Sequence, residues 1–323
     1  AGETGLLDMT LDPAYATNHF VYTYLIEAST LRLRVDRFTL GATGSATLAS
    51  RHLVWTSPGK IVDSANPYHV GGSLNFGPDG DLYLTTGENL NGPNSQDLTN
   101  VFGKVLRFKP DGTVPTDNPY YDGTGPHVDE IWATGLRNGF RGSFDTNGDF
   151  WLGDVGGNNA TTAYEEVDLI TKGANYGWPD CEGPLGQPKN GASCPSGVTG
   201  PLYAYTHDGA AGCCLNRAIV GGEVYRGSAF PSSFVGTYVY ADYPTGEVHW
   251  LQRSGATATS GLLKKVFSGG LPVWVGVSPA DGNIYYVHYG FGNGQLRRLR
   301  YTGGANQPPV ITAASATPTS GSA

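Results

Sequence analysis

The first group of residues suited to chemistry is a histidine with two glycines, in the stretch HVGGSLNFGPDGDLYLTTGE, residues 69–88. His69, Gly71 and Gly72 stand where a loop enters a strand, and loops on a rigid sheet scaffold commonly carry the groups that meet a ligand. A neutral imidazole near pH 7 can accept a proton, so His69 is a candidate general base. The competing interpretation is a histidine that only bonds a loop backbone.

An arginine followed by an asparagine forms the second candidate, in GLRNGFRGSFD, residues 135–145. Arg137 and Asn138 come just before a predicted strand. The planar guanidinium of Arg137 suits a carboxylate or a developing oxyanion. The alternative is a surface arginine that pairs with a loop carboxylate.

Acidic residues dominate the third candidate, DVGGNNATTAYEEVDLITKGANYGWP, residues 154–179. Asp154, Glu165, Glu166 and Asp168 are hard oxygen donors of the kind that calcium takes, and backbone carbonyls from a glycine turn and from Tyr176 add to them. The segment lacks EF-hand spacing. A solvated acidic strand without metal is therefore the alternative.

Aromatic residues of the later chain make up a fourth group. Such rings can form the wall of a sugar site, or they can pack between sheets. The residues are Tyr203, Tyr205, Tyr243, Trp250 and Trp274.

Short strands joined by tight turns must position all four groups. GPDG, residues 77–80, is a turn, and the runs 73–76 and 81–86 on either side alternate apolar residues as the strands of a hairpin do. The same pattern recurs from Phe144 and from Val277, with a looser copy at 238–251. Sheet repeats at such intervals, with no helical stretches between them, indicate an all-β fold of the β-propeller type.

Five blades can be recognised from these repeats. The first is expected to be incomplete at the N-terminus, with upstream residues missing, and the last lacks a fourth strand. We place the propeller domain at residues 1–303. Residues 304–323, rich in Pro, Ser, Thr and Ala, are predicted to be a linker or the start of a further module. The predicted blades are 6–58, 70–134, 142–179, 201–269 and 273–301.

Composition limits the class of partner. The 323 residues carry a formal net charge of −8 without a run of Lys or Arg, which argues against nucleic acid and anionic membranes. No stretch approaches the roughly 20 apolar residues of a membrane span, and no signal peptide opens the chain. The sequence therefore predicts a soluble, already processed protein.

The four cysteines favour an oxidising compartment, so we expect a secreted or periplasmic protein. Cys181 and Cys194 bracket a Gly/Pro-rich loop and could close it as a disulfide. Cys213 and Cys214 are adjacent and form either a strained vicinal bridge or a pair of thiols. Zinc is the weaker option because no CxxC pair or nearby HxxxH accompanies them.

Six segments follow one another along the chain: GLLDMTLDP, HVGGSLNFGPDGDLYLTTGE, GKVLRFKPDGTVPTDNP, EIWATGLRNGFRGSFD, EEVDLITKGANYGWP and GGEVYRGSAFP. Taken in this order, they resemble the soluble sugar dehydrogenases that use pyrroloquinoline quinone (PQQ). The resemblance spans nearly the whole chain and implies a six-bladed propeller that holds the quinone in a cleft through calcium. It further implies oxidation of the anomeric hydroxyl of an aldose and transfer of electrons to an external acceptor.

The resemblance also implies roles for single residues. His69 matches the catalytic base, Arg137 the arginine that polarises the quinone oxygen, and Asn138 its neighbour at the cofactor. Gly156 and Gly157 match a pair whose carbonyls bind the cofactor calcium.

Further assignments follow from the same comparison. Glu166 and Tyr176 match ligands of a second, structural calcium. Glu3 falls where the family places a substrate-contacting glutamine, and we assign Tyr68, beside His69, to the substrate as well. Arg217, followed by Arg297 and Arg298, is the nearest candidate for holding the quinone carboxylates.

Two other functions compete with the dehydrogenase. GGEVYRG and the segment 236–248 look more like a subgroup that shares this propeller with hedgehog-interacting proteins, which bind proteins. A non-catalytic propeller that binds a glycan or a protein, with only structural calcium, is therefore the alternative. A hydrolase with Ser73 or Ser143 beside His69 is more distant, because no nucleophile motif supports it.

Overall fold

The computed structural model describes residues 2–61, 67–185, 194–207, 217–265, 271–290 and 294–303. Cys213, Cys214 and the predicted linker 304–323 lie outside these ranges. Strands dominate the described residues, with one short helix, α1 (Tyr15–Asn18), and three 3₁₀ turns at Leu48–Ser50, Gly92–Ser95 and Ser232–Phe234. None of the described helices is long and apolar enough to cross a bilayer.

The strands form five sheets, in each of which strands that follow one another along the chain lie side by side. The first sheet contains β1 (Leu6–Leu11), β2 (Phe20–Glu27), β3 (Arg32–Thr39) and β4 (His52–Lys60). The second contains β5 (Ser73–Phe76), β6 (Leu82–Thr85), β7 (Val105–Phe108) and β8 (Ile131–Ala133).

The third sheet contains β9 (Gly139–Phe144), β10 (Phe150–Asp154), β11 (Tyr164–Ile170) and β12 (Tyr203–Thr206). The fourth contains β13 (Ile219–Val224), β14 (Tyr238–Asp242), β15 (Glu247–Ser254) and β16 (Thr257–Lys265). The fifth contains β17 (Pro272–Val277), β18 (Ile284–His288) and β19 (Gln295–Leu299).

Five blades were predicted and five sheets are present among the described residues, with two differences in their limits. The first sheet is not incomplete: it has four strands, because β1 pairs along β2 from Leu6 to Leu11. The third sheet extends beyond 142–179, since β12 pairs with β11 and had been expected to open the fourth blade. The loop between β11 and β12 hides this pairing in the sequence.

Contacts between Cα atoms divide the chain into two compact units: Ala1–Asp154 with Asp168–Pro201, and Val155–Val167 with Leu202–Ala323. In the first unit, residues of β2, β3, β5, β6 and β7 form one apolar core around Tyr24, Leu74 and Phe108. A second core packs Tyr83, Leu136, Phe150 and Leu152 together. The expected disulfide joins Cys181 to Cys194 in this unit.

In the second unit, β13 to β19 bury a row of tyrosines that includes Tyr225, Tyr238, Tyr240 and Tyr286. Alternation along β14 brings the rings of Tyr238 and Tyr240 into a stack 6.0 Å apart. Two of the five candidate aromatic residues, Tyr203 and Tyr205, lie side by side in this unit, and Tyr205 also lies beside Tyr240.

A fully buried lysine anchors the loop that follows β6. Lys104 Nζ donates to the carbonyls of Asn94 (2.6 Å), Ser95 (3.1 Å) and Phe102 (2.7 Å). Burial disfavours the ammonium and lowers the pKa of Lys104 to about 7. Between about pH 7 and the ordinary value of 10.5, Lys104 is therefore mostly protonated in the unfolded chain and mostly neutral in the folded chain.

We expect this difference to make the protein more stable as pH rises from about 7 toward 9. The contribution has a slope of up to about 1.4 kcal/mol per pH unit, because unfolding then takes up one proton. Lys104→Met removes the slope and also leaves three carbonyls without their donor. Urea unfolding of both proteins across this pH range measures the effect, with the exposed Lys109→Met as control. A slope unchanged in Lys104→Met would contradict the assignment.

Candidate active site

His69 and Glu88 form a close pair. The imidazole Nδ1 lies 2.5 Å from Glu88 Oε1, and the two side chains are 14% and 4% exposed. His69 precedes β5, and Glu88 comes three residues after β6, so the hairpin predicted at GPDG brings them together. If the carboxylate is ionised, Nδ1–H donates to it and the other ring nitrogen, Nε2, carries the lone pair.

The backbone at His69 is held from several sides in a left-handed conformation, with φ of 54°. Its N–H donates to Glu3 Oε2 (2.9 Å), and its carbonyl accepts from Asn89 N (2.9 Å). Gly71 N, two residues on, donates to Asn138 Oδ1 (2.9 Å). Glu3 and Asn138, both predicted site residues, therefore meet the histidine loop.

Two glycines allow this close packing. A Cβ on Gly87 would lie 2.3 Å from the His69 carbonyl, and a Cβ on Gly71 would lie 2.3 Å from Thr85 O. Gly71 also has a φ of 77°. No side chain fits at either position, because backbone atoms occupy the space.

Arg137 and Asn138 lie immediately before β9 and are anchored on Asp154, the last residue of β10. Arg137 N donates to Asp154 Oδ2 (2.9 Å), and Asn138 N donates to Oδ1 (2.7 Å). The Arg137 carbonyl accepts from Glu88 N (2.8 Å), which joins this turn to the histidine loop. Arg137 is 5% exposed, so it is not the surface arginine of the alternative interpretation.

An indole lies against the same arginine. The Arg137 guanidinium carbon is 5.4 Å from the ring centre of Trp178, within the range of a cation–π contact. Trp178 N donates to Gly135 O (2.9 Å), and its carbonyl accepts from Gln96 Nε2 (2.6 Å). These bonds fix the loop that presents the ring.

The acidic segment is buried, which contradicts the solvated strand considered as its alternative. Asp168 on β11 is 0% exposed, and neither of its oxygens has a hydrogen-bond partner among the described residues. Burial, reinforced by the charge of Asp154, raises the pKa of Asp168 well above its ordinary value. Tyr176 is also buried and donates its hydroxyl to Leu169 O (2.6 Å).

The other predicted ligands lie in the second unit. Glu166 is buried on β11, opposite Ala204 of β12, and Gly156 with Gly157 is buried in the loop after β10. Tyr68, in the first unit, is 41% exposed beside His69, and its carbonyl accepts from Asn89 Nδ2 (3.2 Å).

The candidate arginines of the late blades are engaged by other side chains. Arg217, two residues before β13, donates to Glu247 Oε2 (2.7 Å). Arg298 lies 3.4 Å from Asp281 in the turn between β17 and β18, and Arg297 Nε donates to Gln295 (2.7 Å). Near Arg217, burial raises the pKa of Asp242 to about 6.

Sequence reasoning missed Glu88, Trp178 and the part played by Asp154 in fixing the arginine turn. A usable signal exists. Asp154 ends the second strand of its sheet, Asp242 ends the second strand of the next, and Glu88 follows the second strand of the sheet before. Asp242 Oδ2 likewise accepts from Ala218 N (3.2 Å), just before β13. An acidic residue at or just after the end of the second strand of a sheet therefore helps to predict the loop that its carboxylate supports.

Relatives of this chain include a sugar dehydrogenase and a protein whose name does not state an activity. The HIPL2 protein of Arabidopsis thaliana is 34% identical over 237 residues, which cover 64% of this chain and 33% of that protein. The aldose sugar dehydrogenase YliI of Escherichia coli is 31% identical over 185 residues, covering 55% of this chain and 47% of that protein. The chain thus spans between a third and half of the length of these relatives.

A similar solved structure is the PQQ-bound form of aldose sugar dehydrogenase from Streptomyces coelicolor. It is 25% identical, has a TM-score of 0.68, and the match covers 92% of this chain and 80% of that one. The fold is accordingly a β-propeller, and the five sheets are its blades. The sixth blade implied by the resemblance stays a prediction.

The family model described as Glucose / Sorbosone dehydrogenase matches residues 1–261. This match covers His69, Glu88, Arg137, Asn138 and Asp154, the residues that the structure brings together. The chain therefore belongs to the glucose/sorbosone dehydrogenase family.

Proposed function

We propose that this protein is a sugar dehydrogenase that oxidises the anomeric hydroxyl of an aldose, with PQQ and calcium as cofactors. The observation that carries the proposal is the His69–Glu88 pair, joined through the Glu88 N–H to the arginine turn at Arg137. A candidate proton acceptor and a buried cation thus lie on two loops of the first unit that a backbone hydrogen bond joins. That combination suits removal of a proton and a hydride from an alcohol.

His69 is proposed as the base. With Nδ1–H donated to Glu88, Nε2 can accept the proton of the sugar hydroxyl, and the imidazolium that forms is stabilised by the carboxylate. Glu88 Oε2 has no hydrogen-bond partner among the described residues, so the ring is the contact that the structure shows for this carboxylate group. In a buried setting this interaction is stronger than in water.

Arg137 is proposed as the electrophilic partner. Its backbone is fixed by Asp154 and its guanidinium by Trp178, so the positive charge is in place before any ligand arrives. When bound, PQQ supplies the acceptor for the hydride that leaves the anomeric carbon. Asn138 is anchored through its own N–H on Asp154, and its side-chain oxygen supports Gly71 of the histidine loop.

The donor set fits these cofactors, with one departure. Gly156, Gly157, Glu166 and Tyr176 offer the oxygen donors that calcium prefers, and Glu3 and Tyr68 are proposed to contact the sugar. Arg217, proposed to hold a quinone carboxylate, is paired with Glu247 and would have to share that charge.

The paired Arg217 and the similarity to the Hedgehog-interacting protein of Homo sapiens, 27% identical over 306 residues, together favour a second candidate, a propeller that binds a glycan or a protein. Titration of the metal-stripped protein with PQQ, with and without calcium, separates the two. Calcium-dependent binding followed by dye reduction with aldoses supports the dehydrogenase. A folded chain that binds no quinone supports the binding protein.

A secreted or periplasmic location and an external electron acceptor belong to the same proposal. The Cys181–Cys194 disulfide supports an oxidising compartment. An acceptor outside the chain is expected because oxidation of the sugar releases two electrons that the enzyme would have to pass on before the next turnover.

His69→Ala is expected to lower kcat by about 10²- to 10⁴-fold, the usual contribution of a positioned base. Quinone affinity should stay nearly unchanged, because Arg137 and Asn138 are anchored independently on Asp154. Dye-reduction kinetics and quinone titration measure the two effects. Turnover equal to wild type would eliminate His69 as the base.

Glu88→Gln is expected to lower kcat by between about 10-fold and 10⁴-fold, because a neutral amide orients the ring poorly and does not stabilise the imidazolium. KM should change much less, since Glu88 is 3% exposed and contacts the ring rather than a ligand. Glu88→Asp keeps the charge and should recover part of the loss. Glu27→Gln on β2 is the matched control. Equal kcat in Glu88→Gln and the control would remove Glu88 from the mechanism.

A further inference from the structure

Two carboxylates of the first unit lie close together in a buried space, where like charges repel each other. An oxygen of Asp168 lies within 4.8 Å of an oxygen of Asp154, and the two residues are 0% and 3% exposed. Asp168 receives no hydrogen bond from any described residue on either oxygen. A buried carboxylate in that condition is costly unless a proton or a cation accompanies it.

Hydrogen bonds account for one member of the pair only. Asp154 accepts the N–H groups of Arg137 and Asn138, one on each oxygen. The nearby Asp154 carboxylate cannot donate a hydrogen bond to Asp168. Backbone donors thus satisfy Asp154, whereas the Asp168 carboxyl has no donor among the described residues.

We infer that Asp154 and Asp168 bind a divalent cation, with calcium as the best match. The two oxygens lie within 4.8 Å of each other, close enough to bind one calcium ion at about 2.3–2.6 Å each. Magnesium demands near-ideal octahedral geometry and usually keeps several waters, which suits a buried pair less well. Carboxylate oxygens without nitrogen or sulfur disfavour zinc.

The ion would act on the turn that Asp154 supports. A cation between the acids neutralises the repulsion and holds Asp154 in place, and Asp154 in turn holds the N–H groups of Arg137 and Asn138. Asp154 and Asp168 are the ligands that the first unit supplies to this site. It therefore does not depend on the proposed sugar oxidation, nor on the carbonyl ligands assigned to calcium by resemblance.

The test uses the metal-stripped 323-residue chain and terbium, an ion that replaces calcium and luminesces near tryptophan. Asp168→Asn should bind one equivalent fewer than wild type, with affinity at that site lowered at least about 100-fold. Calcium should raise the Tm of wild type more than that of Asp168→Asn. Asp111→Asn, in an exposed turn where Asp111 accepts from Thr113, should behave as wild type.

A second measurement needs no variant. Calcium should slow hydrogen exchange at the Arg137 and Asn138 amides of wild type, since both donate to Asp154. Equal terbium stoichiometry in Asp168→Asn and wild type would overturn the site. So would unchanged exchange at both amides when calcium is added.

Discussion

The left-handed backbone at His69 is the constraint on which the rest of the site depends. A non-glycine residue in this region costs on the order of 1–3 kcal/mol and persists only where its surroundings impose it. Here Glu3 takes the N–H, Asn89 bonds the carbonyl and Glu88 takes the ring. The direction of the imidazole is therefore set by the protein and not by a ligand, which is the condition for a preorganised base.

Acidic residues do much of the positioning in the first unit. Glu3 and Asp154 each bind backbone N–H groups of a residue proposed for chemistry, and Glu88 binds the histidine ring. Carboxylates suit this work because a charged acceptor forms a stronger hydrogen bond than a neutral one. The same carboxylates give this part of the first unit a negative electrostatic potential. The quinone proposed as cofactor carries carboxylates and would need cations beyond Arg137, and the cation that we infer between Asp154 and Asp168 would offset part of the negative charge.

Local features were predictable from sequence, and contacts between distant segments were not. The GPDG turn located β5 within its observed limits, because turn chemistry and alternation act over a few residues. The bond from Gly71 N to Asn138 spans 67 residues and depends on how neighbouring sheets pack. The family resemblance, and not the spacing of the residues, predicts that His69 and Arg137 belong to one site. Strand β12 was misplaced because the disulfide-closed loop before it breaks the repeat.

Gly71 and Gly87 bear on how an active site of this kind can diverge. At both positions a single methyl group would collide with main-chain atoms. Substitutions there are therefore expected to destabilise the loop and to be removed by selection, whichever ligand the site binds. Under the function proposed above, variation that alters sugar preference would fall on exposed neighbours of His69 such as Tyr68, which is 41% accessible. A saturation library restricted to such exposed positions would vary the surface next to His69 while it leaves the backbone around that residue intact.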